Sequence, residues 1–193
     1  MTVALGDGEC ELRMGNSFAE DTTVSPLGHH RYAASIRDAW KLALLPQGGI
    51  VTALALRAMA DALDHPDQRL RTLHTTFVAQ VAHGPVTIDV ELLRQGRSMS
   101  HLRAEVMNNG ALRGHVTTAV FGSTREGFEF TDLRPPDVVP PSACPSFRDP
   151  PPADFDRHFE PMPFWEQLVE GRPALGNAPW EEYVPDRAET AMW

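Results

Sequence analysis

Residues 49–63 read GIVTALALRAMADAL, and among the positions after the glycine only Thr52, Arg57 and Asp61 are strongly polar. A helix over 50–63 is apolar on nearly every face, so it must be buried on most sides. It is too short, and too interrupted by Arg57, to cross a bilayer, which takes about 20 apolar residues. The remaining way to hide it is to wrap a sheet around it, and residues 70–121 carry the strands. Val86, Ile88, Val90 and Leu92 alternate with Thr87, Asp89, Glu91 and Leu93, the clearest period-two pattern in the chain. Arg94-Gln95-Gly96-Arg97 turns the chain back. Leu102, Ala104 and Val106 then mark an inward face, with His101, Arg103 and Glu105 outward. Asn108-Asn109-Gly110 is a hairpin signal, and residues 112–121 return with Val116, Thr118 and Val120 facing one way. Short turns make these three strands an antiparallel meander.

The flanking segments are less regular. Residues 1–16 form a lead-in rich in glycine and acids, and Gly6-x-Gly8 lacks the third glycine and preceding strand of a dinucleotide loop. Residues 21–27 and 31–37 read as two extended runs joined at Gly28-His29, with Val24, Tyr32, Ala34 and Ile36 alternating. Residues 38–45 lead into the helix with Trp40 and Leu44 as core anchors. Pro46 disfavours helix at Leu45, and Gly48-Gly49 permits a tight entry. Asp64-His65-Pro66-Asp67 stops the helix, residues 70–78 make a strand, and His83-Gly84-Pro85 a turn. Prolines crowd between Pro135 and Pro163, a density incompatible with central strands. Residues 124–185 therefore form a linker or strap, parts of which dock through Phe155, Phe159, Phe164 and Trp165. Residues 186–193 read as a new strand beginning.

The totals narrow the classes. The 193 residues suffice for one large domain, or a domain with a long extension, at 42% hydrophobic and 22% charged content. A net charge of −9 argues against a nucleic-acid partner. Cys10 and Cys144 have no metal-ligand spacing and are too few for a disulfide scaffold. The first ten residues have no basic n-region and no useful apolar core, so no signal peptide is read. The expectation is a reduced, cytoplasmic protein without membrane insertion.

Several of these residues also match a family. The run Trp40…Pro46-Gln47-Gly48-Gly49…Ala55-Leu56-Arg57-Ala58-Met59 resembles the opening of the first half of TesB-like, double-hotdog acyl-CoA thioesterases. Leu73-His74-x-x-Phe77, Gly84-Pro85-Val86 and residues 93–100, LRQGRSMS, fall in that family's order and spacing. The resemblance implies an α+β hotdog fold over 17–123, an antiparallel sheet wrapped around one central buried helix, with a proline-rich C-terminal extension. It further implies hydrolysis of acyl-CoA to free acid and CoA by attack of water, with no cofactor. The family joins two halves by a long linker, so 186–193 would open a second half. The Asp, Thr and Gln to which catalysis is attributed lie in that second half of the enterobacterial type, and correspond to no residue here.

Thioester hydrolysis needs a polarised carbonyl, an activated water and an acyl slot. Backbone N–H groups at the helix start could polarise the carbonyl, with Gly48 and Gly49 allowing close approach. Alternatively, the two glycines simply make the strand-to-helix turn. Gln47 could orient water or bind a substrate amide, or be a surface turn residue. His74 could carry a proton or be structural. Asp61, about three turns along, is too far away to act. Arg94 and Arg97 could pair with CoA phosphates, or hold their turn through carboxylates such as Glu91. Ser98 and Ser100 read as strand residues. Adjacent His29 and His30 make a poor metal pair, so no metal is expected, and no G-x-S-x-G elbow occurs.

Two hotdogs normally pair edge to edge, and an isolated one exposes an unpaired strand, so homo-oligomerisation is expected. The rivals are a non-catalytic acyl-CoA-binding or structural half, and a protein-interaction module built on the strap. An enoyl-CoA hydratase wants an Asp/His pair over the helix start, and nothing near Gln47 supplies one.

Overall fold

The structure, a computed structural model, describes residues 18–108, 113–150, 152–153, 162–177, 181–182, 184 and 189–193. The lead-in with Cys10 and the Gly6-x-Gly8 pair, the turn residues Asn109 and Gly110, and Phe155 and Phe159 lie outside these.

A short helix, α1 (Phe18–Asp21), precedes the hairpin of β1 (Ser25–Gly28) and β2 (Arg31–Ile36). The first extended run therefore starts later than its sequence suggests. Asp21 is helical because Thr22 closes the turn, its N–H and Oγ1 both donating to the Phe18 carbonyl at 3.0 and 2.8 Å. The Asp21 carboxylate is buried and accepts from Arg37 Nε and Nη2, each at 2.5 Å, and from Trp40 Nε1 at 3.0 Å. This network ties α1 to the 3-10 turn Asp38–Trp40.

Next comes the tight hairpin of β3 (Lys41–Leu42) and β4 (Leu45–Pro46). Here one expectation fails: Trp40 is buried, but Leu44 is 85% exposed. Ala43, at φ 57°, reverses the chain and leaves Leu44 at the hairpin tip.

The long helix α2 spans Gly48–Leu63. It stops at Asp64, whose left-handed φ of 47° and N–H bond to the Ala60 carbonyl close the last turn. Then follow β5 (Gln68–Phe77), β6 (Gly84–Arg94), β7 (Met99–Asn108) and β8 (His115–Ser123). Gly84 and Pro85, expected in a turn, already pair with Ile36 and Ser35. Proline is tolerated there because it sits at the start of the strand.

The main sheet is antiparallel, in the order β1-β2-β6-β7-β8-β5. Helix α2 lies across β2, β6, β7 and β8. Ile50, Val51, Leu54, Ala55, Ala58, Met59 and Leu63 pack on Val86, Ile88, Leu102, Ala104, Val106 and Ala119. The far side of α2, at Arg57, Ala60 and Asp61, is open. The sheet thus curls over one broad face of the helix. Alanines, which cost little when exposed, account for the apolar excess in its sequence.

Beyond β8, residues 124–138 run largely exposed, Phe128, Phe130 and Leu133 among them. The strap docks further on: Phe164 enters the core beside Trp40 (ring centroids 6.0 Å) and Trp165 (4.8 Å). A small antiparallel pair of β9 (Pro173–Leu175) and β10 (Ala191–Met192) ends the described chain. No helix among the described residues is long and apolar enough to cross a membrane.

Candidate functional site

The start of α2 is held from both sides. Gln47 N–H donates to the Trp40 carbonyl at 2.8 Å, and Ile50 N–H to the Gln47 carbonyl at 3.1 Å. Gln47 is the helix cap: its Oε1 accepts from Gly49 N–H at 2.5 Å. Neither Gly48 nor Gly49 has a positive φ, so the turn does not require glycine for its dihedrals. What both positions lack is room. A Cβ on Gly48 would sit 2.6 Å from Cε1 of Phe77, and one on Gly49 would sit 2.6 Å from Gln47 Oε1. The glycine pair lets an aromatic ring and a carboxamide lie directly on the backbone.

Phe77 also meets His115 edge to face, with ring centroids 4.3 Å apart and planes at 78°. Gly48, Phe77 and His115, with Leu45, Pro46 and Val81, border a pocket of about 380 Å³ beside the helix start. One step deeper, Thr52 Oγ1 donates to Thr75 Oγ1 at 3.2 Å, and Thr75 and Thr117 share a hydrogen bond of 3.0 Å. Thr52 lies four residues after Gly48, and Thr75 and Thr117 two residues from Phe77 and His115. The three elements therefore present matched rows to one wedge: an aromatic mouth above a ladder of hydroxyls.

His115 is 6% exposed, and its Nδ1 is buried with no hydrogen-bond partner. Burial holds its pKa below the ordinary imidazole value. Sequence reading missed this residue. The β-branched trio Val116, Thr118 and Val120 dominates the alternation, whereas the buried face of β8 is His115, Thr117, Ala119 and Phe121. A signal did exist, since Val106 faces inward and pairs with His115 across the hairpin.

The other candidates lie apart from this mouth. His74 is exposed and pairs with Thr118 on the outer face of the sheet. A bulge explains this: Leu70 pairs with Phe121 on the inner face, but Thr72 pairs with Val120 on the outer, so the strand changes parity at Arg71. Arg94 and Arg97 are exposed at the β6–β7 turn. That turn is tied to the other end of α2, by Gln95 Nε2 to the Leu63 carbonyl (3.2 Å) and Gln68 Nε2 to the Gly96 carbonyl (2.8 Å). At 1.5 Å per residue, roughly 22 Å of helix separates the arginines from Gly48. Glu91 bridges Arg103 at 3.7 Å rather than holding the turn, and neither Arg94 nor Arg97 makes an ion pair among the described residues. One chain thus gathers Gln47, Gly48 and Gly49, and separates them from His74, Arg94 and Arg97. Among the described residues no three His, Cys, Asp or Glu side chains form a group that could hold a metal ion.

A single long helix in the curl of an antiparallel sheet of this strand order, with a pocket at the helix start, defines a hotdog-fold protein. Residues 36–122 match the family model of the acyl-CoA thioesterase N-terminal domain. That match covers 87 of the 193 residues, so the likeness to acyl-CoA thioesterases is one of this domain. Among solved structures it resembles a hotdog-fold protein of unknown function from Alicyclobacillus acidocaldarius, at 28% identity and TM-score 0.69, covering 84% of this chain and 57% of that one. The acyl-CoA thioesterase II TesB2 from Mycobacterium marinum shares the fold at 20% identity and TM-score 0.61, covering 89% and 57%. A Bacillus halodurans protein solved with CoA shares it at 18% identity and TM-score 0.50, covering 57% and 77%. The chain therefore spans little more than half the length of the first two. No curated protein matches the sequence.

Proposed function

We propose that the chain is the first hotdog half of a cytoplasmic acyl-CoA thioesterase-like protein, which binds acyl-CoA at the start of α2 and hydrolyses the thioester by attack of water. In this reading residues 124–185 link to a second half that 186–193 would begin. The observation that carries the proposal is the pocket where Gly48, Phe77 and His115 meet. Its walls are largely apolar and suit an acyl group. The first turn of α2 aims the positive end of its dipole at a carbonyl placed there. No carboxylate lines this pocket among the described residues, which weighs against the acid/base pair of an enoyl-CoA hydratase.

Pairing brings the distant arginines into this reading. Strand β5 is an edge of the sheet. If two copies join antiparallel along it, the Gln68 end of one strand meets the Phe77 end of the other. Because Gln68 is bonded to Gly96, the partner's Arg94 and the partner's Arg97 then approach the Gly48 mouth, where guanidinium forks would take the CoA phosphates. Sedimentation at micromolar concentration should give a dimer or larger assembly, and a stable monomer would remove this part of the proposal.

A specific observation favours a second reading, a non-catalytic acyl-CoA-binding half: Gln47 already occupies Gly49 N–H. Thiol release from acetyl-, hexanoyl-, decanoyl- and hexadecanoyl-CoA by the 193-residue chain decides between them. Turnover supports the hydrolase. Binding without turnover supports the second reading.

A further inference from the structure

We propose that His115 is the catalytic base of this pocket, accepting the proton from the water that attacks the thioester carbonyl; the proposal rests on the thioesterase reading above. A histidine buried for structural reasons normally spends its ring nitrogens on hydrogen bonds within the protein. His115 does not: Nδ1 is buried without a partner, and no hydrogen bond to either ring nitrogen exists among the described residues. Leaving a buried polar group unpaired is unfavourable, and an apolar side chain would pack there without that penalty. The imidazole instead borders the pocket beside Gly48, with one phenyl ring, that of Phe77, packed against both.

Its position is fixed with little tolerance. A Cβ on the preceding Gly114 would lie 2.0 Å from the Val106 carbonyl oxygen and 2.7 Å from Val81 Cγ2. That close approach pins the first residue of β8 against β7 and the pocket wall.

The surroundings also suit a base. Phe77 from β5, Val106 from β7, Gly48 from α2, and Leu45, Pro46 and Val81 around the pocket carry no titratable side chain. The nearest charges along the chain, Arg113 and Glu105, pair with each other at 3.8 Å. Burial therefore acts on the imidazole without an opposing carboxylate, and its neutral, proton-accepting form dominates at neutral pH.

As the water oxygen bonds to the carbonyl carbon, one water proton moves to an imidazole nitrogen and the carbonyl π pair moves onto oxygen, facing the helix start. When that pair returns, the C–S bond breaks, and the imidazolium gives its proton to the departing thiolate. Acid and CoA thiol leave, and His115 is neutral again.

The test compares the full 193-residue chain with His115→Gln and His115→Phe, using His30→Gln in the exposed β1–β2 turn as control. Turnover of the acyl-CoA series is followed from pH 5 to 9. General-base catalysis contributes about 10²–10⁴ in rate. Accordingly kcat should fall at least about 100-fold in both variants, with KM changed less than about threefold, and the control should match wild type. Wild-type kcat should decline on the acid side of neutrality, and residual turnover in His115→Gln should lack that limb. A second measurement does not need turnover: the His115 ring resonances should shift when a non-hydrolysable thioether analogue of acyl-CoA is added. A wild type inert towards every acyl-CoA overturns both this proposal and the hydrolase reading. A His115→Gln variant with normal kcat and the same acid limb overturns this proposal alone, as do ring resonances that ignore a bound analogue.

Discussion

Gly48→Ala separates a glycine kept for substrate approach from one kept for folding. The added methyl would meet Phe77 Cε1 at 2.6 Å and Cζ at 2.9 Å, so the ring must retreat by roughly 1 Å to reach ordinary contact. It can do so, because Phe77 is 61% exposed. The retreat weakens its edge contact with His115, at a cost of about 0.5–1.5 kcal/mol. Against that, alanine is the better helix former by up to about 1 kcal/mol, less at a first position. The φ of Gly48 is not positive, so no backbone strain adds to the cost. The terms nearly cancel, and the expected stability change is within about 1 kcal/mol, a Tm shift of about 2–4 °C for a chain of this size. Activity should respond far more. A methyl at the mouth displaces the carbonyl from the helix-start donor, and losing one such donor typically costs about 10²–10³ in rate. Thermal unfolding and thiol release on the same preparation test this. A variant destabilised by more than about 3 kcal/mol that keeps wild-type kcat/KM would refute the reasoning and return Gly48 to a packing role.

Gln47→Ala removes the carboxamide from Gly49 N–H and should cost about 1 kcal/mol as a lost helix cap. If that side chain occludes the donor, kcat should rise or hold; a fall in kcat with unchanged KM would instead give Gln47 a part in the chemistry. Asp21→Asn addresses acid stability. The Arg37 guanidinium, helped by Trp40 and opposed by burial, holds the Asp21 carboxyl below the usual carboxylate range. Its stabilisation is thus present above about pH 4 and lost as pH falls through the lowered value. Because Arg37 is 37% exposed, the variant should lose about 2 kcal/mol at pH 7, less than a fully buried pair would, and show a shallower acid transition in urea melts. Met59→Ala, in the fully buried helix face, should cost about 2–5 kcal/mol. Leu73→Lys places a charge on the inner face of β5 and should give a smaller sedimenting species with lower activity, although it touches neither Gly48 nor His115.

The helix and the meander were legible because their burial is decided by neighbours in sequence. The pattern at Val86, Ile88 and Val90 and at Leu102, Ala104 and Val106 records the face on α2 directly, and these residues are all buried. Strand β5 was not legible in the same way. It is an edge, largely exposed on both faces, and its parity changes at a bulge that no residue type announces. His74 was singled out by its strand, and the bulge turns it outward. Leu44 misled because a leucine between apolar neighbours reads as core, whereas a left-handed Ala43 makes it a hairpin tip. His115 was passed over because its buried face on β8 is polar and small, the reverse of the usual signal. For the glycine pair the sequence offered two reasons, a tight turn or an approaching substrate. The dihedrals remove the first as the reason for glycine and add a ring and a carboxamide to the second.

These observations converge on β5. Helix α2 crosses the middle of the sheet and leaves a wedge beside this edge, so Leu73 and Phe77 on its inner face stay substantially exposed. The strand has ten residues, contains no proline or lysine, and pairs within the main sheet on one side alone, with β8. Edges left in that state invite pairing. The same wedge holds the hydroxyl ladder and the pocket mouth, so whatever covers the edge also forms the outer wall of the pocket. Assembly and chemistry then depend on one strand. A substitution that only blocks pairing should lower activity as surely as one at the mouth, and the two defects should differ in that only the first is relieved by raising protein concentration.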